Sequence, residues 1–178
     1  QFAKFINLEY GDLVLDIGSG PLINPSYLGN KIDDIFYIGL DPIPFRFQNN
    51  SNHSRAYSLN GISEFLPFIN ECFDKVICAT SLDHVLILDK TLCEINRVLK
   101  KNGIFFSWVF FVDGSPKYSP LDTGFDPKPI DDFHLFHLDK NWYEEEVNKI
   151  FETIFVRDII LGNNYLNYAG SFYIHRKK

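Results

Sequence analysis

The segment Val14-Leu15-Asp16-Ile17-Gly18-Ser19-Gly20-Pro21 ends an apolar run with one carboxylate and two glycines. Glycines at 18 and 20 let the backbone approach a ligand closely and adopt conformations closed to other residues, and the N–H groups of such a loop can hold an anionic group. Asp16 can accept hydrogen bonds from a cation. Asp41 ends a second apolar run, where an acidic side chain can take both hydroxyls of a ribose. Together these residues describe a nucleoside site at the carboxyl edge of a sheet. A dinucleotide site would require GxGxxG, but Ile23 stands at the third glycine's position, and Asp16 falls where such sites need no charge.

Such a site needs strands that end at one edge. Short apolar runs alternate here with segments of helical spacing, which predicts an α/β fold: a doubly wound, mostly parallel seven-stranded sheet with helices on both faces and an antiparallel last strand. Strands are expected at Leu13–Ile17, Ile35–Leu40, Ala56–Leu59, Phe73–Ala79, Ile104–Val112, Thr153–Leu161 and Ser171–His175. Phe2, Phe5 and Ile6 suggest a short first helix, and Asn24-Pro25 starts another toward Lys31. Asp89 is expected to cap a helix with Leu92, Ile95, Val98 and Leu99 on one face, ended by Lys100, Lys101 and Gly103. Asp139 caps the last helix, with Trp142, Val147 and Ile150 inward. Gly162-Asn163-Asn164 fits a hairpin-like return. The punctuated segment from Asp113 reads as a substrate-side loop, 113–137, within a single domain spanning 1–178.

At 178 residues the chain suits one domain that buries about two-thirds or more of its unfolded surface. With 46% hydrophobic and 22% charged residues it is neither a disordered nor a low-complexity chain. The net charge of −6, with Arg176-Lys177-Lys178 as the one dense basic run, argues against nucleic acid as the main partner. Cys72, Cys78 and Cys93 form no CxxC pair, so a reducing cytoplasm is expected. No run reaches the roughly 18 apolar residues of a membrane helix, so membrane insertion is not expected. The chain begins at Gln1 and lacks methionine, as a fragment or processed product would.

The Asp16-to-Gly20 segment resembles the first motif of class I S-adenosylmethionine-dependent methyltransferases, an acid followed by GxG at the end of the first strand. Tyr37-Ile38-Gly39-Leu40-Asp41 resembles the family's second-strand motif. Gly61 to Phe68 with Cys72-Phe73-Asp74-Lys75-Val76-Ile77, then Ser81-Leu82-Asp83-His84-Val85 and Glu94 to Gly103, continue it in the family's order. The resemblance covers about residues 8 to 112. It implies an enzyme with S-adenosylmethionine as cofactor and S-adenosylhomocysteine as product. The amino-acid end of the cofactor falls on Asp16, Gly18, Ser19 and Gly20, the ribose on Asp41, the adenine along Gly61 and Ile62, and the methionine portion or sulfonium on Ala79 and Thr80. Glu64 is slightly displaced from the family's adenine-binding acid, so adenine recognition is expected mainly from backbone. Asp74 and Arg97 read as scaffold.

The resemblance implies methyl transfer by in-line displacement, in which alignment supplies much of the acceleration and a base is needed only if the acceptor must lose a proton. His84, preceded by Asp83, is the candidate base because histidine titrates near neutral pH. His134 and His137 lack a third ligand in register, so no metal site is expected. With Tyr118 and Phe125 they are candidate pocket residues. A small-molecule, sugar or lipid-linked acceptor suits the acidic chain. A catalytically silent binding module of the same fold and an NAD(P)-dependent oxidoreductase are the alternatives.

Overall fold

Strand-forming runs rich in Val, Ile, Leu and Phe bury both faces, as parallel strands covered on each side must. The computed structural model describes residues 5–20, 27–43, 55–115, 134, 137–160 and 169–178. Seven strands form one sheet: β1 (Leu13–Ile17), β2 (Phe36–Asp41), β3 (Ala56–Asn60), β4 (Phe73–Ala79), β5 (Leu99–Phe111), β6 (Phe151–Ile160) and β7 (Ala169–Lys177). Their order is β3-β2-β1-β4-β5-β7-β6. The first five pair in parallel, and β7 runs antiparallel between β5 and β6. The chain order reverses between β1 and β4, and in open α/β sheets that crevice is where ligands bind. Asp16 lies there, in register with Gly39 of β2 and Ile77 of β4.

Two helices, α1 (Leu88–Val98) and α2 (Lys140–Ile150), pack on one face, where Leu92, Ile95, Val98, Trp142, Tyr143 and Val147 join Leu15, Val76 and Phe105 in one core. The other face carries a 3₁₀ helix (Gly29–Asp34) and residues 5–8, with Ile6, Leu8 and Ile32 packed near Val14, Ile77 and Phe106. Asp139 caps α2 as expected, its Oδ1 accepting from the Trp142 amide at 3.1 Å.

Several expected boundaries shift for physical reasons. Of the expected first helix, Phe2 lies outside the described residues, and residues 5–9 form no helix; Ile6 and Leu8 are buried by tertiary packing instead. The segment leading to Lys31 is 3₁₀ and runs on to Asp34, while Asn24 and Pro25 lie outside the described residues. Asp89 sits in the first turn of α1 and makes no cap bond. The amides entering that helix, Leu86 and Ile87, are taken instead by Glu64.

Lys100, Lys101 and Gly103 belong to β5 and not to the end of the helix. Leu99 already pairs with Phe73, and pairing resumes at Lys75 and Ile104, so residues 100–103 bulge between them. Asn102 turns there at φ 60°, and a Cβ on Gly103 would stand 2.8 Å from the Lys100 carbonyl oxygen. The 162–164 return, Tyr118 and Phe125 lie outside the described residues.

Arg97 and Asp74 are scaffold. The Arg97 guanidinium donates to the carbonyls of Leu66 and Phe68 and to Glu94, tying α1 to the connection that walls the site. Asp74 accepts from the Leu13 amide at 3.0 Å and from Lys100 at 2.7 Å.

The far end of the sheet is locked by a buried polar group. His175 Nε2 lies 3.0 Å from the Tyr143 hydroxyl, and its Nδ1 lies 3.0 Å from Thr153 Oγ1. Burial pushes its imidazole down to about 3. The unfolded chain therefore binds a proton that the folded chain refuses between the ordinary histidine value and about 3, so this contribution to stability is present above pH ~6.5 and lost as pH falls. Denaturation of the wild type beside His175→Gln is expected to show the wild type losing about 1.4 kcal/mol per pH unit relative to the variant below that point.

Candidate cofactor and active site

β1 ends at Ile17 because the next residue turns with positive φ, at 72° for Gly18. The Gly18 amide donates to the Leu40 carbonyl at 2.8 Å, which fastens the turn to β2. Ser81, at the exit of β4, donates from Oγ to the Ile17 carbonyl at 2.8 Å. A Cβ on Gly18 would stand 2.3 Å from Ser81 Cβ, so the close approach requires glycine. Asp41 fixes the neighbouring edge: Oδ2 accepts from the Gly20 amide and Oδ1 from the Ile43 amide, both at 2.8 Å. The glycine turn and the second-strand acid are thus one hydrogen-bonded unit.

These elements surround a cavity of about 340 Å³, the size of a small-molecule site. Of the residues singled out in the sequence, Gly18, Asp41, Gly61, Ile62, Thr80 and His84 line it. Asp16, Ser19, Gly20 and Ala79 lie outside its lining. Ala79 pairs with Trp108 of β5 and packs against the core on the face that carries Val14, Ile77 and Phe106. Ser19 and Gly20 shape the turn. Thr80 holds φ 56°, costly for a β-branched residue, with its amide donating to the Trp108 carbonyl at 2.8 Å. Backbone strain of this kind concentrates at functional sites.

Asp16 is fully buried directly behind the turn. Its Oδ2 accepts from the hydroxyls of Tyr27 and Tyr37, while Oδ1 has no hydrogen-bond partner among the described residues. Burial pushes this carboxyl up to about 6, the two tyrosines pull it back, and the negative charge of Asp41 adds to the rise. An unsatisfied buried carboxylate oxygen is suited to a cationic ligand, which would restore the ionised form. The two tyrosines escaped the sequence reading, because alternation places Tyr37 on a strand face without revealing that two hydroxyls converge on one oxygen.

Glu64 also proved more informative than its sequence position suggested. It is 3% exposed and lines the cavity, but its Oε1 accepts from the Leu86 and Ile87 amides at 2.5 and 3.1 Å. It therefore holds the 85–87 turn against Gly61 to Ser63. Glu64→Ala is expected to leave those amides unsatisfied, destabilising the fold by about 1–3 kcal/mol in chemical denaturation. Ser81, Leu40, Ile43, Val85 and Leu86 complete the wall.

A family model described as a methyltransferase domain matches residues 15–107, just over half of the chain and the stretch that carries this cavity. The chain belongs to the class I S-adenosylmethionine-dependent methyltransferase family. The family's cofactor is S-adenosylmethionine, and the residues present fit it: a turn open to close approach, an acid at the second-strand edge, and a buried carboxylate oxygen with no hydrogen-bond partner among the described residues.

Over 98 residues this methyltransferase domain is 37% identical to an uncharacterized protein of Methanocaldococcus jannaschii, covering 55% of this chain and 37% of that protein. Over 111 residues it is 28% identical to a sterol 24-C-methyltransferase of Saccharomyces cerevisiae, covering 57% of this chain and 29% of that one. The chain thus spans about a third of the length of the curated relatives it matches.

Among solved structures, it is similar to an S-adenosylmethionine-dependent methyltransferase of Methanosarcina mazei, with TM-score 0.70 and 18% identity over 96% of this chain and 94% of that one. It is also similar to a phosphoethanolamine N-methyltransferase of Haemonchus contortus bound to phosphomonomethylethanolamine and S-adenosylhomocysteine, with TM-score 0.74 and 16% identity over 98% and 50%. These two share the fold.

Proposed function

We propose that this chain transfers the methyl group of S-adenosylmethionine to a small-molecule, sugar or lipid-linked acceptor. The observation that carries the reading is one cavity lined together by Gly18, Asp41, Gly61, Thr80, Ser81 and His84. When bound, S-adenosylmethionine supplies an electrophilic methyl on a sulfonium that departs as a neutral thioether. Asp16 Oδ1 meets the ammonium of its amino-acid end, with the turn at Gly18, Ser19 and Gly20 alongside. Asp41, held by the Gly20 and Ile43 amides, accepts the ribose hydroxyls. Gly61 and Ile62 lie along the adenine, and Ala79 and Thr80 border the methionine portion.

His84 stands at the acceptor end with its side chain 43% exposed and Asp83 beside it, placed to act on the acceptor's proton. An acidic chain favours a neutral or cationic acceptor over a polyanionic nucleic acid. Two relatives bear names of lipid methyltransferases, for squalene in Botryococcus braunii and for sterols in Saccharomyces cerevisiae, which supports a lipid or small-molecule class. Free thiols at Cys72, Cys78 and Cys93 suit a reducing cytoplasm, and no helix among the described residues is long and apolar enough to cross a membrane.

The test is a panel of hydroxylated small molecules, saccharides and lipids, with RNA and DNA as the contrasting class, assayed for release of S-adenosylhomocysteine. Release above the acceptor-free rate with at least one member is expected. Saturable cofactor binding without turnover on any of them would favour a silent binding module, and turnover confined to nucleic acid would overturn the acceptor class.

A further inference from the structure

Beside the acceptor end of the cavity, three potential ligands converge from distant parts of the sequence. Asp83 and His84 form a short 3₁₀ turn after β4, and His134 approaches from the segment that follows β5. His84 Nε2 lies 3.7 Å from Asp83 Oδ1, and His134 Nε2 lies 3.6 Å from Asp83 Oδ2. The two imidazoles stack with centroids 4.9 Å apart, and the three ligand atoms all lie within 4.8 Å of one another.

We propose that Asp83, His84 and His134 hold a divalent transition-metal ion beside the acceptor end of the cavity. The inference deepens the proposed methyl transfer and rests on it for its catalytic meaning. Its first support is the spacing. Both imidazole nitrogens face one carboxylate at separations too long for hydrogen bonds. Donor atoms sharing one tetrahedral ion, with bonds near 2.0–2.1 Å, stand about 3.3 Å apart; the two nitrogen–oxygen separations here are a few tenths of an ångström longer and the whole set lies within 4.8 Å, so small side-chain rotations bring all three onto one ion.

Its second support is Asp83 itself. The residue is only 8% exposed, and its Oδ1, the oxygen facing His84, has no hydrogen-bond partner among the described residues. A buried carboxylate oxygen in that state costs free energy, which coordination would offset.

Two imidazoles and one carboxylate suit Zn²⁺, Co²⁺, Fe²⁺ or Mn²⁺ better than Mg²⁺ or Ca²⁺, which prefer all-oxygen shells. Three protein ligands leave coordination positions free, as catalytic sites do and structural sites do not. Because His84 also lines the cavity, an acceptor oxygen can take one of those positions. Coordination lowers the pKa of a hydroxyl, so the acceptor's proton leaves to solvent before its oxygen forms the new bond to the methyl carbon. With its Nε2 on the ion, His84 serves as a ligand and not as the base, and it promotes loss of that proton only by holding the ion. The sequence reading expected no metal because no third ligand lies in register with His134 and His137; the structure instead brings His134, without His137, to two residues of the β4 exit, Asp83 and His84, about 50 residues earlier.

The test uses the full chain freed of metal with a chelator and titrated with Co²⁺, followed by visible absorption, and with Zn²⁺ by calorimetry. One equivalent is expected, with ligand-field bands of a nitrogen–oxygen site and an affinity reduced at least a hundredfold in His134→Ala and in Asp83→Asn. Circular dichroism and S-adenosylhomocysteine binding of His134→Ala serve as folding controls and are expected to match wild type. Absence of a stoichiometric site, or equal binding by His134→Ala through a group such as the exposed Cys93, overturns the proposal. Metal binding that follows these variants in a chain that ignores S-adenosylhomocysteine would uphold the metal site and defeat the methyl-transfer reading.

Discussion

Asp16→Asn is expected to make the ligand-free protein more stable and the cofactor complex weaker. The Asp16 carboxyl is fully buried and titrates near 6, above the ordinary 3.8, chiefly because burial disfavours its charge. Between those two values the folded chain holds a proton that the unfolded chain has released. Its contribution therefore falls as pH rises through that window, and holding it ionised near pH 7.5 costs the fold roughly 3 kcal/mol. Asparagine removes the charge and keeps an oxygen to accept from Tyr27 and Tyr37.

Scanning calorimetry should show the variant melting several degrees higher near neutral pH. The same change removes the anion proposed to meet the cofactor's ammonium. Affinity for S-adenosylmethionine should drop by about ten- to a hundredfold, the loss typical of a hydrogen bond to a charged group. In the wild type, affinity should also fall about tenfold per pH unit below 6, since binding must displace the Asp16 proton, and the variant should lack this dependence. A lower melting temperature together with unchanged affinity would contradict the role assigned to Asp16.

Gly18→Ala is expected to damage fold and site together. The added methyl meets Ser81 Cβ at 2.3 Å and Oγ at 2.6 Å, and Ser81 cannot retreat without breaking its bond to the Ile17 carbonyl and its contact with Cys78 Sγ at 2.9 Å. The backbone also sits at φ 72°, where an L side chain is strained. Overpacking and strain each cost about 1–3 kcal/mol, so chemical denaturation should show a loss of several kcal/mol. Cofactor binding should disappear even where the variant remains folded. Gly20→Ala is the comparison: its φ of 74° imposes similar strain, but no atom of the described residues lies within 4 Å of the added methyl, so the loss should be about half as large.

What was legible in the sequence follows the reach of local signals. The period of apolar residues and the turn chemistry located all seven strands and the cap of α2, because those features act over a few residues. The helix ahead of β5 was misplaced at both ends because its start is satisfied by Glu64, remote in sequence, and because pairing with Phe73 draws Leu99 into the sheet. Gly18 and Asp41, singled out because residue type alone limits what those positions can do, line the cavity, whereas Asp16, Ser19 and Gly20 stand outside its lining. Tyr27 and Tyr37 on Asp16, the bracing by Glu64, and the meeting of Asp83 with His134 depend on tertiary approach, which no spacing records.

The central claim is that the crevice between β1 and β4 holds S-adenosylmethionine with Asp41 on its ribose. Calorimetric titration with S-adenosylmethionine and S-adenosylhomocysteine, with NAD as the contrasting ligand and Asp41→Ala as the control, tests it most directly. One-to-one saturable binding of both adenosyl ligands, weakened by Asp41→Ala, is the expected result. Tight binding of NAD beside silence from the adenosyl ligands, or adenosyl binding that Asp41→Ala leaves unchanged, would contradict it.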